Sequence, residues 1–172
     1  MSRSTSYKEK VYNGGSGQGL EWEGKCMRLW HYQLLHYLPD AQFKGQLREL
    51  VAIMHDWRDK EKTNHLLINR VMEYQPAELA CYFEKYDEAY RKRYGKEIKL
   101  EIWTDFCKFV GFIIPTNAPI FDGWHNKEYL RVCMANLYEK HYFGIGKSRI
   151  TDEEWQRLCD GYKAITGEEY KI

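Results

Sequence analysis

The sequence predicts an all-α fold, a compact single-domain bundle of about four to five helices. Apolar residues recur at helical spacing in several stretches, and residues that cap or stop helices stand at their ends. Strand signals are scarce. A chain of 172 residues suffices for one domain with a core and is short for two. We therefore expect one helical domain over 27–172, preceded over 1–26 by either a flexible arm or a non-native upstream extension.

The arm and the first element differ in composition. Residues 1–26 hold Ser, Gly and charged residues with no period, whereas the chain from Met27 is dense in apolar and aromatic residues. A short element is predicted over Leu29–Leu38, closed by Pro39.

The first long helix is predicted from residue 40 to about Asp56, with Asp40 as its N-cap. The charged stretch that follows is turn-prone, and His65–Tyr74 stays open between helix and extended chain. The apolar positions of the long helix form one stripe, comprising Phe43, Leu47, Leu50, Val51 and Met54.

Later helices are bounded by recognisable start and stop residues. Pro76 suits a first helical position and Gly95 a stop. Thr151 and Glu154 have capping-box spacing, and Gly167 ends the helix that they begin. The predicted spans are 76–94, 100–112, 127–142 and 151–165, with a loop over 113–123.

Bulk properties exclude several classes of protein. A net charge of +1 means that any nucleic-acid contact must come from a local patch. Five cysteines without a close pair favour reduced thiols and a cytoplasmic protein. CxxC and HExxH motifs are absent, so we expect no metal site. The apolar runs are too short for a membrane span and the N-terminus does not resemble a signal peptide.

One face of the 40–56 helix is unusual. Opposite the apolar stripe lie Ala41, Gly45 and Ala52, flanked by Arg48 and Glu49. Exposed helix faces usually carry long charged side chains, and an interior glycine costs about 0.5–1 kcal/mol relative to alanine. Either a neighbouring helix packs here, with Arg48 and Glu49 as a surface pair, or another molecule approaches the backbone closely.

A resemblance to a known family favours the second interpretation. The runs MRLWHYQLLHYLP (27–39) and GQLREL (45–50) resemble the pyrimidine-dimer DNA glycosylases of the phage endonuclease V type. NHLLINRVMEY (64–74) and DEAYRKRYGKEI (87–98) extend the resemblance, so that it covers about Met27–Ile98. FDGWHNKEYL (121–130) resembles uncharacterised bacterial relatives.

The resemblance implies a DNA-repair glycosylase, with or without AP-lyase activity, acting on damaged duplex DNA as a monomer without a cofactor. It implies that Glu49 is the catalytic carboxylate and that Arg48 binds phosphate. A fixed carboxylate stabilises the oxocarbenium character of glycosidic cleavage, and a guanidinium suits phosphate oxygens.

The chain also departs from the family pattern. In the family, the α-amine of an N-terminal threonine forms a Schiff base with the sugar, but here Met27 and Arg28 stand at that place after 26 residues. A second family arginine is matched by Ala52 or Ile53. We hypothesise that the functional chain starts at Met27, whose α-amine would then be the nucleophile.

Further DNA contacts are expected from basic and aromatic runs. A basic helix end can also serve the helix dipole, and a lone histidine is more often structural. The candidate DNA-binding residues besides Arg48 are Arg28, His65, Arg91, Lys92 and Arg93.

Three further assignments stay open. Trp124 and His125 could contact DNA, although capping by Asp122 or Asn126 explains their loop more simply. The basic and aromatic run 138–147 distantly resembles an aromatic DNA-contact segment of the family, although core packing is predicted for Tyr142 and Phe143. Two other functions compete with the glycosylase: a non-catalytic helical protein that binds nucleic acid, and a helical protein-interaction module.

Overall fold

The computed structural model describes residues 29–61, 63–111 and 118–172, apart from the side chain of Lys147. These residues form helices and no strand, which confirms the all-α prediction. The arm predicted over 1–26 lies outside the described residues. The α-helices are α1 (Asp40–Asp59), α2 (Leu66–Val71), α3 (Pro76–Tyr94), α4 (Leu100–Phe109), α5 (Lys127–Tyr142) and α6 (Asp152–Thr166), and 3-10 helices span Tyr32–Leu34 and Gly146–Ser148.

Helix boundaries agree closely with those predicted, except that α4 ends at Phe109 and not at residue 112. The predicted spans of α3 and α5 are confirmed, and α6 begins and ends one residue later than expected. α1 runs to Asp59, beyond the predicted end. The ambiguous stretch His65–Tyr74 contains the short helix α2. The described residues therefore hold six α-helices, one more than the upper expectation.

Most predicted caps are present. Pro76 occupies the start of α3, and Gly95 ends that helix with a φ of 63°, a conformation that glycine adopts without steric cost. Thr151 and Glu154 form the capping box of α6.

The predicted cap at Asp40 is wrong. Pro39 is the N-cap of α1 and Asp40 is its first helical residue, without a side-chain cap bond. The Asp40 carboxylate instead pairs with Lys44 at 2.6 Å and accepts a hydrogen bond from the Tyr94 hydroxyl. These two partners occupy the oxygens that would otherwise accept main-chain N–H groups.

The buried face of α1 is broader than its apolar stripe. Phe43, Leu50 and Met54 are buried as predicted, while Leu47 and Val51 are only half-buried. Gln46 is fully buried among them. A buried amide requires hydrogen-bond partners, and these position the candidate site described below.

The helices pack around a single core. α5 lies against α6, α1 contacts α2 and α4, and the first 3-10 helix contacts α3 and α6. A β-carbon at Gly161 of α6 would lie 2.4 Å from the Tyr37 ring, so only glycine permits this approach. Among the described helices, none combines the length and apolar character needed to cross a membrane.

Candidate active site

The small-residue face of α1 is open. Ala41 and Ala52 are exposed, Gly45 is half-buried and Arg48 is exposed. A neighbouring helix would have buried both alanines, so the described chain does not use this face for packing.

The Arg48 side chain lies back over Gly45. A β-carbon at Gly45 would meet the nearer guanidinium nitrogen at 3.9 Å, an ordinary van der Waals contact. Alanine would therefore fit at this position within the chain itself.

The charge of Glu49 acts on a buried hydroxyl. Its side chain is half-buried, and its charge acts on Tyr82 of α3. Burial foremost, and then the nearby Tyr129, Cys133 and Glu49, raise the pKa of Tyr82 well above its usual value. The Tyr82 hydroxyl consequently stays protonated and acts as a hydrogen-bond donor.

That hydroxyl holds the chain just before the first 3-10 helix. Tyr82 donates to the carbonyl oxygen of Trp30 at 2.6 Å and lies 3.2 Å from Oε1 of Gln46. The same Oε1 accepts the main-chain N–H of Trp30 at 2.8 Å. Gln46 is one turn before Glu49 on α1, so one of the two side chains that fix Trp30 neighbours the candidate carboxylate on the helix.

Two further side chains hold the neighbouring residues. The Tyr129 hydroxyl of α5 donates to the carbonyl of Leu29 at 2.6 Å. The main-chain N–H of Tyr32 points to Nδ1 of His125 at 3.3 Å. We call Leu29–Tyr32 the clamped segment, since side chains from α1, α3, α5 and the loop before α5 hold its main chain.

His31 and His125 are buried and neutral. Nε2 of His31 lies 2.9 Å from the carbonyl oxygen of His125, and Nδ1 of His31 lies 3.4 Å from the N–H of Gln33. A carbonyl only accepts and an N–H only donates, which places the His31 proton on Nε2. Burial lowers the pKa of His31 to about 4 and that of His125 to about 2.

The loop before α5 combines two roles. The Asn126 side chain accepts the N–H of Tyr129 at 2.9 Å and caps α5, which confirms the capping interpretation. Asp122 accepts instead from the adjacent Gly123 N–H. His125 is buried against the clamped segment.

Two of the three basic side chains at the end of α3 bind other residues of the protein. Nη2 of Arg93 donates to the carbonyl of Leu38 at 2.7 Å, and the guanidinium lies over the Phe43 ring at 4.1 Å. Arg91 pairs with the buried Asp87 at 2.8 Å. Lys92 is exposed. A DNA contact by these three residues stays a prediction, and Arg93 has a packing role that the sequence did not indicate.

Of the other residues predicted to act at the site, the structure describes only His65. His65 precedes α2 and is half-buried, and its Nδ1 has no hydrogen-bond partner among the described residues. Met27 and Arg28 lie outside the described residues. No group of metal-ligating side chains in the described ranges could hold a metal ion.

The prediction that Tyr142 and Phe143 pack in the core is wrong. Their exposed fractions are 67% and 71%, and Ile145 is 89% exposed. α5 ends at Tyr142, and a β-carbon at Gly144 would lie 2.0 Å from the carbonyl oxygen of Lys140, so the chain turns sharply over its own helix end. We call 142–149 the aromatic loop. The Gln42 side chain of α1 donates to the Ser148 carbonyl at 3.1 Å and holds this loop beside α1.

The comparison with protein families bears on the α1 face. The family model described as pyrimidine dimer DNA glycosylase matches residues 27–101. This stretch is similar to the pyrimidine dimer DNA glycosylases. The match confirms the resemblance and covers less than half of the chain. The glycosylase-like stretch begins at Met27, includes Arg48 and Glu49, and ends within α4. No curated protein and no solved structure matches the chain significantly.

Sequence reasoning missed the residues that hold the clamped segment. Gln46, Tyr82 and Tyr129 occupy ordinary helix positions, and nothing in their spacing marks their partners. A glutamine inside an otherwise apolar helix face is the one available signal, because a buried amide must be bonded.

Proposed function

We propose that the chain is a DNA N-glycosylase of the pyrimidine-dimer type, acting on damaged duplex DNA in the cytoplasm as a monomer. The observation that carries this proposal is the family match over residues 27–101, which includes Arg48 and Glu49 on the open face of α1. The proposal needs no metal or organic cofactor.

Glu49 is the proposed catalytic carboxylate. Breaking the bond between base and deoxyribose leaves positive charge on the sugar, and a fixed carboxylate stabilises that charge. Its half-buried position supports this role, because partial exclusion of water strengthens the electrostatic interaction.

Arg48 is the proposed phosphate contact. The side chain is exposed and lies along a row of small residues. A DNA backbone can approach such a surface more closely than a face of long side chains, and a guanidinium binds phosphate oxygens through two hydrogen bonds.

The aromatic loop is a second proposed contact with DNA. Gln42, which holds the loop, lies seven residues before Glu49 on nearly the same side of α1, about 10 Å along the axis. Exposed aromatic rings stack on bases that leave the helix. The loop supports the proposal because its apolar side chains are exposed next to the α1 face.

AP-lyase activity is proposed for a chain that starts at Met27. A free α-amine is more often unprotonated at neutral pH than a lysine amine, so it attacks the sugar carbon more readily. Lys44, the lysine on the same helix as Glu49, forms an ion pair with Asp40 at 2.6 Å.

The test is excision from a duplex that contains one pyrimidine dimer. We expect the wild type to release the dimer base, and Glu49→Gln to lower the rate by about 100-fold or more while DNA affinity and thermal stability are kept. Glu101→Gln, an exposed change in the first turn of α4, is the control and should retain the full rate. DNA binding without excision by the wild type would favour the non-catalytic alternative. Undiminished excision by Glu49→Gln would remove Glu49 from the mechanism.

A further inference from the structure

The clamped segment is unusually well fixed for a stretch outside a long helix. Leu29, Trp30 and His31 are almost completely buried, with exposed fractions of 0%, 4% and 1%. Buried main-chain groups need hydrogen-bond partners, and neighbouring main chain usually supplies them. Here side chains from four separate parts of the fold bind the carbonyl of Leu29, both polar main-chain atoms of Trp30 and the N–H of Tyr32.

Gln46 and Tyr82 act on the segment together. Oε1 of Gln46 receives the Trp30 N–H and also lies 3.2 Å from the Tyr82 hydroxyl, which in turn donates to the Trp30 carbonyl. One residue of the segment is therefore held from α1 and α3 at once. Loss of the Tyr82 hydroxyl removes one bond to Trp30 and disturbs the acceptor of the other.

Gln46 neighbours the proposed carboxylate on α1, and Tyr82 lies within reach of its charge. Gln46 is one helical turn before Glu49, so their side chains are neighbours on α1. Tyr82 is close enough for the Glu49 charge to act on its hydroxyl. Gln46 and Tyr82 are both fully buried, and neither is accessible to DNA.

We propose that Tyr82 and Gln46 are positioning residues for base excision, holding the clamped segment and the Glu49 turn of α1 at a fixed separation. The inference rests on the proposed glycosylase function. It assigns them a role in the rate of excision and none in the affinity for DNA. A small displacement of groups around a reaction centre lowers the rate strongly, whereas phosphate contacts on the surface are unaffected.

Tyr82→Phe tests the proposal, and Tyr86→Phe is its matched control. Tyr86 lies one turn further along α3, is fully buried like Tyr82, and donates from its hydroxyl to the carbonyl of Phe43 at 2.9 Å. Each change removes one buried hydroxyl from the same helix, but Tyr86 does not contact the clamped segment through that bond. Full-length variants are compared in single-turnover excision from dimer-containing DNA, in DNA affinity and in urea unfolding.

We expect Tyr82→Phe to lower the single-turnover rate by about tenfold or more with DNA affinity changed less than about twofold. Tyr86→Phe should keep both within about twofold at a similar loss of stability. Amide exchange of Trp30 should accelerate in the first variant and not in the second.

The outcomes distinguish a failure of the positioning role from a failure of the proposed glycosylase function. Equal excision rates in the Tyr82 and Tyr86 variants, with an active wild type, would overturn the positioning role and leave the glycosylase proposal standing. A wild type without excision activity would overturn both. Should Tyr82→Phe not fold, Gln46→Met carries the test, since it removes the acceptor of the Trp30 N–H. A wild-type rate in that variant would then overturn the proposal.

Discussion

The His31 ring donates from Nε2 to the carbonyl oxygen of His125 across 2.9 Å, and the two imidazoles stack with centroids 5.2 Å apart. Nδ1 of His125 in turn accepts the Tyr32 N–H. Both rings serve the fold only in their neutral forms, because a protonated Nδ1 cannot accept and two adjacent positive charges repel.

Mild acid should therefore destabilise the protein. Burial lowers the pKa of His31 to about 4 and that of His125 to about 2, whereas histidines in the unfolded chain titrate near pH 6.5. Below pH 6.5 the unfolded chain binds more protons than the folded chain, so stability falls as the pH falls. Each histidine should contribute a loss of about 2 kcal/mol between pH 7 and pH 5.

Urea unfolding across this pH range measures the effect. At pH 5 most carboxylates are still ionised in both the folded and the unfolded state, so the change in the free energy of unfolding comes mainly from the histidines. His125→Asn keeps an acceptor for the Tyr32 N–H and should show a flatter dependence on pH. A chemical-shift titration that placed the His125 pKa above about 5 would contradict the assignment.

Gly45→Ala should separate stability from DNA binding. A methyl group at this position fits within the chain, so the helix should gain about 0.5–1 kcal/mol in its free energy of unfolding. If DNA approaches the open face of α1, the same methyl group should weaken binding. Thermal denaturation and a binding titration on one preparation give both quantities, and unchanged affinity would mean that no ligand approaches the backbone at Gly45.

Arg48→Ala should weaken binding to DNA of any sequence and make its salt dependence shallower by about one ion. The control is Arg58→Ala on the same helix, exposed and paired with Asp59 at 2.8 Å. Ten residues separate the two arginines, which turns Arg58 about 80° away around the helix. Equal salt slopes for both variants and the wild type would place the DNA elsewhere.

Alanine substitutions at Arg93 and Lys92 should differ in their effect on stability. Arg93→Ala removes the donor to the Leu38 carbonyl and the contact with the Phe43 ring, which should cost about 2 kcal/mol of stability. Lys92→Ala, at an exposed neighbour, should change stability by less than about 0.5 kcal/mol. Urea unfolding of both variants measures the difference, and equal stabilities would contradict a structural role for Arg93.

A chain that starts at Met27 should be trapped on DNA. Its α-amine can form an imine with the sugar, and borohydride converts that imine into a permanent crosslink. The full chain of 172 residues should form less crosslink with the same abasic or dimer-containing DNA. Reductive methylation at a pH low enough to keep the lysines protonated modifies the α-amine selectively, and this control should abolish trapping. Equal crosslinking by both chains would point to a lysine as the nucleophile.

Local signals predicted the helices better than their contacts. Proline and glycine at helix ends, and the capping pair Thr151 and Glu154, fixed most boundaries because their effects are confined to neighbouring residues. Asp40 was misassigned because its partner Tyr94 is 54 residues away. For the same reason the sequence did not indicate the packing role of Arg93, whose acceptors belong to a turn more than fifty residues earlier.

In the candidate site, too, local sequence signals could be read and long-range contacts could not. Arg48 and Glu49 could be proposed from the sequence because they flank a row of small residues and match a family motif. Tyr82, Gln46 and Tyr129 could not, since their function in the fold is defined by which main-chain atoms they reach. Long-range hydrogen bonds of this kind leave no periodic pattern in a sequence.

The contact between Tyr37 and Gly161 has a consequence for how this protein varies among relatives. Tyr37 lies within the glycosylase-like stretch and Gly161 lies in α6, well beyond it. The ring fits only where α6 has no side chain. A relative with a larger residue at position 161 should therefore carry a smaller one at position 37, so the two positions should change together during evolution. Relatives that have lost α6 altogether should replace the tyrosine with a polar residue.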